Sequence, residues 1–284
     1  MIISIQSQVV HGHVGNSAAL LPMQAHGIAV AAVPTTLLSN HPHYPTMRGR
    51  VLEAELVADL LRGVEERGLV ESARVLVTGY LGSVENGEAV ADFVVRAKAR
   101  NPGLTYVCDP VIGDEDLGIF VAEGLPQLIR DRLVPHADVL TPNQFEFGLL
   151  AGQPLRSSQA LMQAAARSRG RTAVTGCMLP DTPPDHVETV AIDGAAAWRV
   201  TTPRLPVRPA GTGDLFTGLL AAGLDKGTAF PDAVAAAVSS TYDVLDITAR
   251  AGSREMCLVE ALAKLTHPTR LFPPVALASG TAEA

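Results

Sequence analysis

Short runs of apolar residues alternate along the chain with longer segments in which apolar residues lie three and four apart. The short runs are almost continuously apolar, which is typical of strands covered on both faces, as in a parallel sheet. They predict strands at Ile2–Gln6, Ile28–Val33, Arg74–Gly79, Thr105–Cys108, Asp138–Leu140 and Thr172–Val174. The longer segments predict helices at Glu53–Arg67, Gly87–Arg100 and Gln159–Ser168. This order predicts an α/β fold with a mostly parallel central sheet and helices on both faces.

The pattern changes after residue 185, where two strand-like runs meet at Asp193-Gly194. Because Asp-Gly is a preferred pair for a tight two-residue turn, we predict an antiparallel hairpin here. Two Ala-rich helices are predicted after it, at Asp214–Leu224 and Asp232–Ala249. No internal repeat, low-complexity block or linker interrupts the sequence. We therefore expect one domain over residues 1–272, followed by a flexible tail over residues 273–284.

The chain has 284 residues, of which 22 are basic and 29 acidic, and its net charge is −7 with no block of like charge. This balance argues against nucleic acid or an anionic membrane as a partner and favours a small ligand. The three cysteines form no spaced framework, which is typical of a reducing compartment. The first basic residue is Arg48, so no secretion or transit signal is predicted, and no apolar run approaches the ~20 residues that cross a bilayer. We expect a cytoplasmic protein.

Polar residues follow four of the predicted parallel strands. They are Ser7, Gly79-Tyr80, Asp109-Pro110 with Asp114 close behind, and Thr141-Pro142-Asn143 with Glu146. Ligands of open α/β sheets gather at the carboxyl ends of the strands, so we expect these residues to converge on one edge. Taken alone, Asp109-Pro110 is also typical of a turn, and Glu146 of a charge in the first turn of a helix.

The stretch PAGTGDLFTG, residues 209–218, places two glycines and an aspartate at the start of an apolar helix. Gly211 and Gly213 let the backbone turn with positive φ and approach a ligand closely, so that the free N–H groups of the first turn can bind an anion. We predict that Gly211, Thr212 and Gly213 hold a phosphoryl group and that Asp214 accepts a proton from an incoming hydroxyl. The alternative is that Asp214 is an ordinary helix N-cap.

The segment GTGDLFTG resembles the anion-binding signature of the ribokinase-like small-molecule kinases. Three further stretches resemble the pyridoxal kinases within that superfamily, namely residues 5–24 (IQSQVVHGHVGNSAALLPMQ), 106–114 (YVCDPVIGD) and 139–152 (VLTPNQFEFGLLAG). With TGYLGS at 78–83, the resemblance covers nearly the whole chain. It implies a ribokinase-like fold, a homodimer, and ATP-dependent phosphorylation of the 5′-hydroxymethyl group of pyridoxal, pyridoxamine or pyridoxine.

The resemblance implies roles for residues on the vitamer side. Ser7 matches the serine that hydrogen-bonds the pyridine ring, and Tyr80 matches the tyrosine that lies against it, which suits a flat heteroaromatic substrate. Pro42 and His43 lie where the family commonly has threonine and a polar residue that contacts the substrate. Since proline supplies neither a hydroxyl nor an N–H, the preferred vitamer is left open, and His43 is a candidate replacement contact.

The resemblance also implies a nucleotide site with a divalent metal. The residues matched to the nucleotide are Asp109, Thr141, Asn143, Glu146, Thr175, Thr201, Thr202 and Arg204. Asp109, Asp114 and Glu146 match the family's acidic positions near Mg²⁺. A cation is expected there because phosphate oxygens pack beside carboxylates only when a cation lies between them. Whether K⁺ also assists is left open.

Other functions are compatible with the sequence. A hydroxymethylpyrimidine or sugar kinase of the same superfamily is one, and a non-catalytic pyridoxal-binding protein is another. A pyridoxal-phosphate-dependent enzyme would need a Schiff-base lysine, and the lysines here, Lys98, Lys226 and Lys264, lie in predicted surface helices or turns. His11 and His13 form an H-x-H pair without an apparent third ligand, which favours a structural role over a metal site.

Overall fold

The computed structural model describes residues 1–167 and 170–277. Its strands are β1 (Ile2–Val9), β2 (Val30–Leu38), β3 (Gly49–Val51), β4 (Val75–Thr78), β5 (Thr105–Cys108), β6 (Gly113–Asp114), β7 (Gly118–Ile119), β8 (Val139–Leu140), β9 (Arg171–Cys177), β10 (His186–Asp193), β11 (Ala196–Pro203) and β12 (Val275–Ala276). Its helices are α1 (Asn16–Ala25), α2 (Ala54–Glu66), α3 (Leu69–Ser72), α4 (Val84–Arg100), α5 (Leu125–Leu128), α6 (Gln144–Ala151), α7 (Ser158–Ala165), α8 (Thr212–Asp225), α9 (Phe230–Ala251) and α10 (Leu262–Thr266).

The described strands build a ten-stranded sheet in the order β12-β11-β10-β9-β8-β5-β4-β1-β2-β3, with β6 and β7 as a separate ribbon. The six strands from β2 to β9 in this order pair in parallel. The edges are antiparallel: β3 runs beside β2, and β9, β10, β11 and β12 alternate in direction. Parallel strands in the centre bring their carboxyl ends to a single edge, which therefore has room for a ligand.

Successive residues of the central strands face opposite sides of the sheet, and both sides are buried. Val75 and Val77 of β4 belong to the core beneath α1, α8 and α9, whereas Leu76 belongs to the core beneath α2 and α4. In β5, Val107 likewise belongs to the core beneath α1, α8 and α9, and Tyr106 belongs to the core beneath α2 and α4. Burial on both faces explains why these strands are almost continuously apolar, and it confirms the predicted α/β architecture with helices on both faces.

Helix α1 was not predicted, because its sequence carries a proline at Pro22 and no side-chain cap at its start. It is held by packing instead. A Cβ on Gly218 of α8 would lie only 2.9 Å from the Cα of Ala19 in α1, so the two helices meet backbone to backbone. This close approach fixes the first turn of α8 beside the β1–α1 loop, residues 10–15.

The predicted strands and helices are present, β5 with its predicted ends and the others with shifted ends. The largest extension is in β2, predicted over Ile28–Val33 and observed over Val30–Leu38. Of the predicted helix Gln159–Ser168, residue 168 lies outside the described residues, as do residues 278–284 of the expected tail. The preceding residues Val275–Ala276 pair with β11. Among the described residues, none of the helices is long and apolar enough to cross a membrane.

Candidate active site

The predicted polar residues line the carboxyl edge of the parallel strands. Strand pairing aligns Ile5 with Thr78, Thr78 with Cys108, and Cys108 with Leu140. Strands β4, β5 and β8 end at these positions, whereas β1 continues to Val9, and one rim is formed just beyond the aligned row by Ser7, Tyr80, Asp109 and Thr141. Ser7, Asp109 and Thr141 are buried, and Tyr80 is half-buried. These four residues therefore lie at the same edge of the sheet, and their roles in a common site stay predictions.

The glycine turn at Gly211 opens helix α8. Gly211 has a φ of 82° and is the N-cap, where no side-chain cap hydrogen bond is made. A Cβ at this position would lie 1.8 Å from the carbonyl oxygen of His13, so glycine is required for both conformation and space. Among the described residues, none accepts a hydrogen bond from the N–H of Thr212 or of Gly213. The first turn of α8 therefore presents free donors, as an anion site requires.

Asp214 is the third residue of α8, so the interpretation of this residue as an ordinary N-cap is wrong. Burial raises the pKa of its carboxyl to about 6, although a hydrogen bond from the backbone of Gly15 opposes the shift. Gly15 is itself fixed against β1, because a Cβ there would lie 2.2 Å from the carbonyl oxygen of Ser7. The carboxylate is therefore placed between the glycine turn and the end of β1, with a pKa suited to a general base near neutral pH.

A chain of hydroxyl groups connects Asp109 to α8. The hydroxyl of Thr217 donates to Oδ2 of Asp109 at 3.2 Å and lies 2.9 Å from the hydroxyl of Thr141. Burial raises the pKa of Asp109 well above its usual range, and the neighbouring carboxylates of Glu146 and Asp214 add to this effect. Thr217 was not predicted as a site residue. The available signal was its spacing, since it lies three residues after Asp214 and so shares a helix face with it.

Glu146 is fixed by backbone hydrogen bonds. With Asn143 it forms a reciprocal capping box at the start of α6, and its Oε1 accepts from the N–H of Ile112 at 2.9 Å and of Gly113 at 3.3 Å. Burial raises its pKa to about 7 despite these hydrogen bonds. The interpretation of Glu146 as a first-turn helix charge is thus confirmed, and the same fold holds its carboxylate near Asp109.

The acidic residues fit a cation only in part. Asp114 accepts hydrogen bonds through Oδ1 from the N–H groups of Asp116 and Leu117, at 3.0 and 2.7 Å, within the β6–β7 ribbon. Within residues 1–167 and 170–277, no three His, Cys, Asp or Glu side chains form a ready-made metal site. The carboxylate of Glu146 nevertheless adds to the cost of ionising Asp109, and that of Asp114 adds to the cost of ionising Glu146, which a divalent cation would relieve. This donor set suits a cation whose remaining ligands are water and phosphate oxygens.

The residues matched to the nucleotide lie along the same edge. Thr175 pairs with Asn143 and donates its N–H to the carbonyl of Pro142 at 2.9 Å. Because β10 and β11 are antiparallel, the carboxyl end of β11 returns to the edge at which β9 ends. Thr202 is buried there and Arg204 is exposed. The hydroxyl of Thr201, however, donates to buried Glu188 at 3.0 Å and is already used within the hairpin.

The β2–β3 loop, residues 39–48, lies beside the β1–α1 loop. Pro42 and His43 are exposed, whereas His41 is buried. Nε2 of His11 is 3.2 Å from the hydroxyl of Tyr44, so His11 contacts the β2–β3 loop. The Nδ1 atom of His13 is buried without a hydrogen-bond partner. Burial lowers the pKa of His13, which keeps its imidazole neutral at physiological pH.

Known proteins resemble this chain over nearly its full length. The family model described as phosphomethylpyrimidine kinase matches residues 11–257. The pyridoxal kinase PdxY of Leifsonia xyli is 42% identical over 275 residues, which cover 95% of this chain and 97% of that protein. The PdxY of Rubrobacter xylanophilus is also 42% identical, over 96% of each chain. The chain belongs to the pyridoxal kinase family. The resemblance inferred from GTGDLFTG and the three longer stretches is therefore confirmed.

Solved structures of the pyridoxal kinase family share the fold. The pyridoxal kinase of Leishmania donovani in complex with ADP and pyridoxine superimposes with a TM-score of 0.89 at 28% identity, covering 97% of this chain and 98% of that one. The complex of the same enzyme with ADP and pyridoxamine gives the same TM-score and identity. The ribokinase-like fold expected from the sequence is thus confirmed.

Proposed function

We propose that this chain is an ATP-dependent kinase that transfers the γ-phosphoryl group to the 5′-hydroxymethyl oxygen of pyridoxal or a related B6 vitamer. The observation that carries the proposal is the position of Asp214, a partly buried carboxylate in the first turn of a helix whose glycine turn presents free N–H donors. Relatives 42% identical are named pyridoxal kinase, and structural neighbours hold ADP with a vitamer.

In the proposed reaction the alcohol oxygen forms a bond to the γ-phosphorus while the bond from that phosphorus to the bridging oxygen of ADP breaks. The alcohol proton passes to Asp214. Since phosphoryl transfer has a loose transition state, positioning and charge stabilisation should contribute more than proton removal. The N–H groups of the turn at residues 211–213 are the donors that face the developing charge. With a pKa of about 6, Asp214 is mostly ionised at pH 7 and still basic enough to accept a proton.

We assign the remaining rim residues by side. Ser7 and Tyr80 bind the pyridine ring, with Pro42 and His43 above it. Thr141, Asn143 and Thr175 bind the phosphates, while Thr202 and Arg204 lie toward the adenosine, and Thr201 supports that edge through its bond to Glu188. The buried position of Ser7 and the half-buried ring of Tyr80 at the end of neighbouring strands support the first pair.

We further propose that the divalent cation of the reaction is Mg²⁺, held near Asp109 and Glu146 with Asp114 at the periphery. When bound, Mg²⁺ neutralises negative charge on the phosphates. Asp109 and Glu146 attract it, and the Thr217 hydroxyl orients the Asp109 carboxylate. A homodimer is a prediction of the resemblance, and a cytoplasmic location is a prediction of the cysteine pattern and of the amino-terminal sequence, while assistance by K⁺ is left open.

A substrate panel tests the proposal. Purified protein is assayed for ADP release with ATP and each of pyridoxal, pyridoxine, pyridoxamine, hydroxymethylpyrimidine and ribose. The proposal predicts the highest kcat/KM for a B6 vitamer and formation of its 5′-phosphate. Hydroxymethylpyrimidine is the second candidate, because the matching family model is that of phosphomethylpyrimidine kinase. Preference for the pyrimidine or the sugar would refute the vitamer assignment, and binding of pyridoxal without ADP release would indicate a non-catalytic protein.

A further inference from the structure

Glu255 lies outside every segment considered so far, in the turn that follows α9. The turn is rigid. Ser253 Oγ donates to the Glu255 carbonyl at 2.8 Å and accepts from its N–H at 3.2 Å, while Thr248 Oγ1 accepts from the N–H of Cys257 at 3.0 Å. The flanking side chain of Met256 is buried in the core. The backbone of Glu255 is therefore fixed to the body of the protein, and its side chain extends toward the β2–β3 loop.

The carboxylate of Glu255 holds two rings of the β2–β3 loop through one oxygen. Its Oε1 lies 2.7 Å from Nε2 of His41, and the hydroxyl of Tyr44 donates to it at 2.7 Å. The His41 and Tyr44 rings pack against each other with centroids 4.9 Å apart. Because Nδ1 of His41 accepts the backbone N–H of His43 at 3.3 Å, the ring carries its proton on Nε2 and donates it to Glu255. Glu255 thus fixes the backbone of His43 through His41.

The second oxygen of Glu255 faces the β1–α1 loop. A Cβ on Gly12, which has a φ of 90°, would lie 2.7 Å from Oε2, so only glycine leaves space for the carboxylate. The backbone of the next residue, His13, also hydrogen-bonds to this carboxylate. The carbonyl of His13 in turn rests against Gly211, the N-cap of α8. One side chain therefore connects the β2–β3 loop to the loop that supports the phosphate-binding turn.

The charge state of Glu255 agrees with this role. Burial by itself would raise its pKa, but hydrogen bonds from Tyr44 and His41 lower it by more, so its pKa lies below the usual range. The carboxylate is thus ionised near neutral pH and acts as a strong acceptor for both rings. Its side chain is only 17% exposed, which limits competition from water.

We propose that Glu255 is a positioning residue that holds the β2–β3 loop over the vitamer and against the phosphate-binding turn. This inference rests on the proposed function. It also accounts for Pro42, which supplies neither a hydroxyl nor a backbone N–H to the loop. In this chain Glu255 holds the β2–β3 loop through His41 and Tyr44. The ordering of the loop therefore does not require a hydroxyl at residue 42.

The first test compares Glu255→Ala with Glu260→Ala, which removes an exposed carboxylate from the same segment. Without Glu255 the loop must be ordered when the vitamer binds, so we expect the KM for pyridoxal to rise about ten-fold or more while the KM for ATP changes less than about two-fold. Glu260→Ala should leave both unchanged. Equal effects on both KM values, or no effect of Glu255→Ala, would overturn the inference.

Three further variants separate positioning from a general loss of structure. Glu255→Gln keeps an acceptor oxygen and should recover much of the lost affinity, whereas Glu255→Asp is one methylene too short and should not. Tyr44→Phe should raise the KM for pyridoxal more in the wild-type background than in Glu255→Ala, because the hydroxyl donates to that carboxylate at 2.7 Å and its other contact, with His11, is longer at 3.2 Å. Additive effects of Tyr44→Phe and Glu255→Ala would contradict the proposal.

A readout without turnover keeps the inference distinct from the proposed function. Trypsin can cleave after Arg48, which is the last residue of the loop and is exposed. Cleavage there should be faster in Glu255→Ala than in Glu260→Ala or the wild type. If the wild type failed to phosphorylate any vitamer, the proposed function would be wrong while the cleavage comparison would still test loop holding. Equal cleavage rates would refute it.

Discussion

Replacement of Gly211 by alanine tests the geometry of the phosphate-binding turn. The residue has a φ of 82°, and an added Cβ would lie 1.8 Å from the carbonyl oxygen of His13. Two costs follow. The left-handed conformation costs a non-glycine residue about 1–2 kcal/mol. The contact is a larger problem, because backbone oxygen cannot rotate away as the end of a flexible side chain would.

The distance by which the glycine turn must move away from the β1–α1 loop sets the size of the effect on catalysis. Relief of a 1.8 Å contact to an ordinary distance requires the turn and the β1–α1 loop to separate by more than about 1 Å. A misplacement of about 1 Å in a reacting geometry can lower a rate by about 10²-fold. We therefore expect Gly211→Ala to lower kcat by about 10²-fold or more and to lower the free energy of unfolding by more than the about 1–2 kcal/mol that the left-handed conformation alone costs.

Gly227→Ala is the matched control. Gly227 has a φ of 77°, follows the other end of α8, and has no atom within 4 Å of an added Cβ. It therefore carries the same conformational cost, about 1–2 kcal/mol, without the contact and away from the rim. Urea unfolding and the ADP-release assay are measured on both variants. If Gly211→Ala retained the turnover of Gly227→Ala, the glycine turn would not position the reacting phosphate as argued.

Three further predictions concern Asp214, Thr217 and Pro42. Because the folded-state pKa of Asp214 is raised from 3.8 to about 6, its ionisation costs stability above pH 6 and nothing below pH 3.8. Asp214→Asn should therefore raise the Tm at pH 8 more than at pH 4, and an equal change of Tm at both pH values would refute the raised pKa of Asp214. Thr217→Val removes hydrogen bonds to Asp109 and Thr141, so the free energy of unfolding should fall by about 1–3 kcal/mol, and an unchanged urea midpoint would contradict those bonds. Pro42→Thr introduces the hydroxyl that the resemblance implies at this position and should lower the KM for pyridoxal by about three- to ten-fold, whereas a higher KM would count against a contact at this position.

Much of the fold could be predicted because both faces of the central strands are buried. Because of that burial, Arg74–Gly79 and Thr105–Cys108 are almost continuously apolar, and this pattern predicts strands although apolar and polar residues do not alternate. It also places Ser7, Tyr80 and Asp109 on one edge, since parallel strands end together. Helix α1 could not be found this way. Its position depends on close packing of Ala19 against Gly218, which no local pattern encodes.

The site could be predicted only where its residues lie in local motifs. Asp214 belongs to a short signature that implies its place in the first turn of a helix. Thr217 and Glu255 act through partners more than 70 residues away, Thr141 for the first and His41 for the second. The sequence gives no spacing rule for such contacts, because they depend on which elements meet in the folded chain. A carboxylate after a helix is otherwise typical of a solvated surface charge.

The central claim is that Asp214 accepts the proton of the attacking alcohol beside a glycine turn that holds the phosphoryl group. The most direct test measures kcat for pyridoxal phosphorylation by Asp214→Asn, together with pyridoxal binding by calorimetry. Asparagine keeps the shape but cannot accept the proton, so kcat should fall by about 10²–10⁴-fold while the Kd for pyridoxal changes little. Turnover close to that of the wild type would contradict the account.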